Sequence, residues 1–122
     1  MSNKKKILIV EDETIIALSL KHDLESLGFQ LLTPVSTGEE AVCIICEECP
    51  DLVLLDIRLA GEMTGLDVAK SDKCQDISKF IIFMTGYVTP EIKAEALKLN
   101  PIGFLEKPVE VEDILDLLQK IS

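Results

Sequence analysis

A chain of 122 residues, 48% hydrophobic and 28% charged, has the makeup of one globular domain that buries about two-thirds of its unfolded surface. Twenty-two acids against 12 bases leave a net charge of −10, which repels phosphate backbones and anionic headgroups and so argues against direct nucleic-acid or membrane-surface binding. No apolar stretch approaches the roughly 18–20 residues a membrane helix needs. The basic start is followed by only Ile7 to Val10 before three acids, so no signal peptide is read and a cytoplasmic location is expected.

Ile7 to Val10 reads as a short, dry strand ending on Glu11-Asp12. Ile16, Leu20, Leu24 and Leu27 then recur at helical spacing, with Gly28 as a stop. Phe29 to Val35 reads as a second strand, at an edge or near its end because of Pro34. Thr37 and Glu40 have capping-box spacing and open a helix that runs to Cys49-Pro50. Leu52 to Asp56 is a third strand. A loop with Gly61 and Gly65 leads into a helix expected over Leu66 to Lys73. Phe80 to Thr85 is a fourth strand, and Pro90 starts a helix through Leu99 that Asn100-Pro101 stops. Gly103 to Leu105 is a short fifth strand before Lys107-Pro108. Val111, Ile114, Leu115, Leu118 and Ile121 stripe the last helix. Five strands alternating with five helices fill residues 1–122 as one domain, an α/β fold with a doubly wound parallel sheet.

Cys43, Cys46 and Cys49 have a C-x2-C-x2-C spacing that overlaps part of an iron–sulfur run. Cys74 lies far away in no matching context, and Cys43 and Cys46 fall inside a helical pattern, where cysteine fills small apolar positions. Packing is the reading preferred, and disulfides are not expected without an export signal.

In an open parallel sheet, ligands sit outside the carboxyl ends of the strands. That edge here gathers Glu11, Asp12 and Asp56 with the Thr85 hydroxyl and Lys107. Carboxylates so close raise each other's pKa unless a cation intervenes, and an oxygen-rich site of this kind suits Mg²⁺ with a phosphate. Asp56 ends a wholly apolar run and has the nucleophilic chemistry to form an aspartyl-phosphate. Phosphoryl transfer then asks for positioning and neutralised oxygens. Lys107 is the base placed to serve, Thr85 offers a hydroxyl, and Gly86 leaves the approach clear.

The pieces ILIVEDE, DLVLLDIRLAGEMTGLDV, IIFMTGY and GFLEKPV, in this order, resemble the receiver domain of two-component response regulators essentially end to end. The resemblance implies the flavodoxin-like strand order 2-1-3-4-5. It implies that Asp56 is the phosphoacceptor, and that Glu11, Asp12 and Asp56 bind Mg²⁺ with the Arg58 backbone carbonyl. Lys107 would contact the phosphoryl group, with a cis bond to Pro108. Thr85 would be the switch hydroxyl and Phe104 the aromatic that follows it. The partner would be a sensor histidine kinase or phosphotransfer protein that donates from phosphohistidine, in a switch that catalyses only its own Mg²⁺-dependent phosphorylation and dephosphorylation. Ala60 and Thr64 depart from the usual proline and aspartate. The first loosens the loop slightly, and the second still caps a helix.

Arg58 and Tyr87, two residues beyond Asp56 and Thr85, are candidates for shielding the phosphorylated site and tuning its rate. The alternative is that both are ordinary loop residues. His22 reads as a solvated surface residue. The expected readout face comprises the last two helices and the fifth strand, with Leu117 as an exposed apolar contact, and a homodimer through that face stays open. Two other readings compete: a binding module without phosphorylation, and a nucleotide or flavin enzyme on the same fold. The intact acid–hydroxyl–lysine set disfavours the first, and the acidic first loop, which lacks a glycine-rich phosphate cradle, disfavours the second.

Overall fold

The computed structural model describes residues 5–71 and 80–120. Five strands form one parallel sheet in the order β2-β1-β3-β4-β5: β1 (Lys6–Val10), β2 (Gln30–Leu31), β3 (Leu52–Asp56), β4 (Ile81–Thr85) and β5 (Gly103–Glu106). The expected strand order and fold class are those observed. The dry runs mark burial on both faces. Successive residues of β1, β3 and β4 point to opposite sides, so Leu8, Val10, Val53, Leu55, Ile81 and Phe83 face one core. Ile7, Ile9, Leu52, Leu54, Ile82 and Met84 face the other.

Helices α1 (Thr14–Ser26) and α5 (Val111–Lys120) cover the second face through Ala17, Leu20, Leu24, Ile114 and Leu118. The first face is covered by α2 (Gly38–Glu48), α3 (Gly65–Lys70) and α4 (Pro90–Lys98), through residues such as Val42, Leu66 and Ala96. Side-chain oxygens start three of these helices. Thr37 accepts from the Glu40 N–H, Thr89 accepts from the Ile92 N–H, and Thr64 forms a full capping box with Asp67. Thr64 thus caps as expected. None of the described helices is long and apolar enough to cross a membrane.

Several expectations need correction. The second strand is only Gln30–Leu31, not Phe29 to Val35. Past Leu31 the Leu32 N–H makes a last bond to the Ile7 carbonyl, and the chain pairs with β1 again at an isolated bridge at Val35, beyond Pro34, which has no N–H to donate. Leu27 leaves the α1 stripe and is 52% exposed, because the helix closes at Ser26 ahead of Gly28 with φ of 97°. Leu117 is not an exposed contact: its side chain packs where a Cβ on Gly103 would sit, and it joins the second core. Cys43 and Cys46 lie on the exposed side of α2, since Ala41, Val42 and Ile45 take the core positions. Cys46 is disulfide-bonded, against the expectation of reduced cysteines, which rested on compartment alone and weighed no geometry. α3 ends at Lys70, short of the expected Lys73, because Ser71 turns extended as its C-cap. The rest of that expected stretch, Cys74 and Ile121 lie outside the described residues.

Candidate functional site

Backbone pairing brings the polar strand ends together. Register matches Val10 to Leu55 and Asp56 to Met84, so the residues that follow β1 and end β3 and β4 share one edge. The Lys107 N–H donates to the Thr85 carbonyl at 2.9 Å, carrying the loop after β5 to the same place. Beneath it, the Gly65 N–H donates to the Ile57 carbonyl at 2.8 Å. A Cβ on Gly65 would collide with the Asp56 carbonyl, so α3 starts this close to the Asp56 loop only with glycine. Gly86 lines the hollow over Asp56, where a Cβ would make ordinary contact with the Lys107 stem at 3.7 Å.

The Lys107 ammonium bridges two buried carboxylates, 2.5 Å from Glu11 Oε1 and 2.6 Å from Asp56 Oδ2. Glu11 is 2% exposed and Asp56 3%. The remaining oxygens find backbone donors: Glu11 Oε2 accepts from the Glu13 N–H at 3.0 Å, and Asp56 Oδ1 from the Arg58 N–H at 3.0 Å. Burial pushes the Glu11 carboxyl up to about 7, against the lowering pull of Lys107 and the Glu13 N–H, with Asp56 adding to the rise. Burial alone would lower the Lys107 ammonium, but hydrogen bonds to Asp56 and Glu11 outweigh it and hold its pKa above the ordinary value.

Asp12 stands exposed at the rim, and oxygens of Glu11, Asp12 and Asp56 lie within 4.8 Å of one another. An all-oxygen set open to water on one side fits a hard divalent cation such as Mg²⁺. Two buried acids share one lysine here, so the cluster has room for a further positive charge.

Thr85 is fully buried, and its hydroxyl is spent on Tyr87. It accepts from the Tyr87 N–H at 3.2 Å and donates to the Tyr87 carbonyl at 3.1 Å. Phe104, half-buried on β5, lies with its ring 6.3 Å from Phe83 and with the Lys93 ammonium 5.9 Å above it. Arg58 and Tyr87 both line the hollow over Asp56, and the guanidinium stands 5.6 Å from the tyrosine ring. The Lys107–Pro108 bond is cis. His22 is exposed beside Asp23, as read from the sequence.

Sequence reasoning gathered Glu11, Asp12, Asp56, Thr85 and Lys107 at one edge, and the structure brings all five there. It missed the Gly65 contact, the Lys93–Phe104 contact and the pairing of Arg58 with Tyr87. Gly65 carried a signal, as a glycine opening a helix. The other two join separate elements and have none.

The chain matches the description of the response regulator receiver domain over residues 7–119. It is similar to the positive alginate biosynthesis regulatory protein of Pseudomonas aeruginosa, with 38% identity over 95% of this chain and 46% of that protein. It is also similar to sporulation initiation phosphotransferase F of Bacillus subtilis, with 33% identity over 95% of this chain and 92% of that one. The chain therefore spans under half of the first relative and nearly all of the second. Among solved structures, a CheY-like response regulator receiver domain protein from Methanospirillum hungatei superposes with a TM-score of 0.85 at 32% identity, covering 97% of this chain and 93% of that one. The order of the strands, the acid–lysine edge and these likenesses agree, and this chain belongs to the response regulator receiver domain family.

Proposed function

We propose that this chain, over residues 1–122, is a phosphorylation-driven signalling switch with Asp56 as its phosphoacceptor. The observation that carries the reading is the half-buried Lys107 ammonium held between the buried carboxylates of Glu11 and Asp56, at the edge where an oxygen cluster opens to solvent. An Asp56 carboxylate oxygen attacks the phosphorus of a phosphohistidine on a sensor kinase or phosphotransfer protein. The new O–P bond replaces the P–N bond, and the imidazole leaves with its electron pair. Glu11, Asp12, Asp56 and the Arg58 carbonyl are the groups to hold Mg²⁺, which supplies neutralisation of the phosphoryl oxygens. Lys107 stays with the new dianion as the second positive charge.

A hydroxyl has one proton to donate. Thr85 gives up the Tyr87 carbonyl to reach a phosphoryl oxygen, and Phe104, packed on Phe83, shifts with it. The altered face comprises α4, β5 and α5, which also serves a homodimer if one forms. Arg58, at the mouth, shields the aspartyl-phosphate and slows its hydrolysis, while Tyr87 covers the same mouth before phosphorylation and tunes how readily the site is modified. A surface of net charge −10 supports a cytoplasmic protein whose partner is neither nucleic acid nor membrane.

Acetyl phosphate with Mg²⁺ tests the reading by intact-protein mass. One phosphoryl group is expected on the wild type and none on Asp56→Asn. An unmodified wild type, or an adduct that survives Asp56→Asn, refutes it. The half-life of the adduct tests the shielding, which Arg58→Ala is expected to shorten, and the rate of uptake tests Tyr87, which Tyr87→Ala is expected to raise.

A further inference from the structure

This chain has one tyrosine, no tryptophan, and Arg58 as its single arginine, and the tyrosine and arginine meet. Both side chains are exposed, where a cation–π contact is weak. Their backbones make the pair unusual. The Arg58 N–H hangs from Asp56 Oδ1 at 3.0 Å, and the Tyr87 N–H and carbonyl are both tied to the Thr85 hydroxyl, at 3.2 and 3.1 Å. One partner is thus fastened to the phosphoacceptor and the other to the hydroxyl expected to turn toward the phosphate.

The pair is also a wall between two hollows. On one side lies the space of about 420 Å³ over Asp56 and Lys107. On the other lies a groove of about 720 Å³ between the loop after β3, α3 and α4, with Ile57, Leu66 and Ile92 among its apolar lining. Arg58 and Tyr87 line both.

We propose that a phosphoryl group on Asp56 breaks the Arg58–Tyr87 contact and lets the Tyr87 ring turn from the mouth of the site into the α3–α4 groove, giving the domain a second readout on the α3 side of α4. The inference rests on Asp56 phosphorylation as read above. Two steps drive it, each from a contact in the structure. Phosphoryl oxygens offer the guanidinium charge-assisted, bidentate hydrogen bonds that outcompete an exposed aromatic face. The Thr85 hydroxyl cannot donate to the phosphate and to the Tyr87 carbonyl with one proton, so as Thr85 turns, Tyr87 loses the bond on its carbonyl, one of its two backbone ties. A freed, largely exposed ring then has the groove's partly exposed apolar residues Leu59 and Ile92 beside it to cover.

Because Tyr87 is the only tyrosine and tryptophan is absent, ultraviolet emission reports this ring alone. Wild type is treated with Mg²⁺ and acetyl phosphate while intact mass gives the phosphorylated fraction. Tyrosine emission and its quenching by acrylamide are read on the same samples. Emission is expected to change in proportion to the phosphorylated fraction, and acrylamide quenching to drop as the ring enters the groove. Unphosphorylated Arg58→Gln is expected to move part of the way, with the ratio of turned to unturned ring raised about two- to five-fold by loss of the cation. A phosphorylated protein with unchanged emission and quenching overturns the inference and leaves the phosphoacceptor reading standing. Arg58→Gln emission identical to wild type also overturns it. Failure to take up any phosphoryl group removes the reading itself, and the inference with it.

Discussion

The two ends of the sheet each hold a lysine among acids, and they behave differently. At the amino edge, the Lys6 N–H donates to Asp51 at 2.7 Å, and its ammonium lies 3.5 Å from Glu48, with side chains 29% and 45% exposed. At the carboxyl edge, Lys107 reaches Glu11 and Asp56 at 2.5 and 2.6 Å, and the acid side chains are 0% and 4% exposed. The ingredients are alike, and water makes the difference. Around Lys6 it screens the charges, and the contact is a clasp joining β1 to the end of α2. Around Lys107 each charge depends on its partner, since desolvation is expensive and an unpaired buried ion more so. A buried cluster with two acids to one base is poised to respond when charge is added, whereas an exposed clasp is not.

The contrast can be broken or sharpened by substitution. Lys107→Ala leaves Glu11 and Asp56 facing each other without a cation. It is expected to cost about 3 kcal/mol in urea unfolding at neutral pH, with a larger share regained on adding Mg²⁺ than the wild type gains. Equal gains in the two proteins would show that the cation and the lysine do not answer the same charge. Gly65→Ala forces a methyl against the Asp56 carbonyl and Ile57 Cα, backbone atoms that cannot swing aside. A loss of about 1–3 kcal/mol is expected, together with slower phosphorylation by acetyl phosphate. A variant as stable and as fast as wild type would mean that the loop has slack.

The pH dependence is smaller and has a definite sign. The folded chain holds the Glu11 proton up to about 7, against 4.5 for the unfolded group. Between those values the folded state binds more protons, so Glu11 makes stability fall as pH rises from 4.5 to about 7. Glu11→Gln is expected to flatten that slope in urea midpoints measured across the range. A slope equal to wild type would place the titration elsewhere. The smallest effect belongs to the clasp: Lys6→Ala is expected to cost no more than about 1 kcal/mol and to leave the phosphorylation rate unchanged. If Lys6→Ala cost as much as Lys107→Ala, burial would not be what separates the two ends.

Much of this could be read from residues alone, for specific reasons. Leu52 to Asp56 and Ile81 to Thr85 are buried on both faces, and such strands appear in a sequence as unbroken apolar runs. Thr37, Thr64 and Thr89 cap helices through hydrogen bonds to residues three positions on, so their signal is local. Phe29 to Val35 is apolar enough to read as a strand, while pairing at the sheet edge ends after Leu31. Leu117 reads as an exposed contact because the space it fills, over Gly103, belongs to another element.

The chain's own letters determined the alternation of strand and helix, the parallel sheet, and which polar groups stand at its carboxyl edge. Those features follow from period, burial and capping, which act over a few residues. Only the tertiary structure decided that Lys107 answers both Glu11 and Asp56, that the Thr85 hydroxyl is spent on Tyr87, and that Arg58 stands over the tyrosine ring. The Lys107 and Arg58 contacts join residues far apart in the chain. The Thr85 bonds span two positions, yet it is the burial of the end of β4 among its neighbours that leaves the hydroxyl no water to bond instead. In each case, which of several competent partners a group meets depends on ångström-scale placement by elements packed far away in sequence.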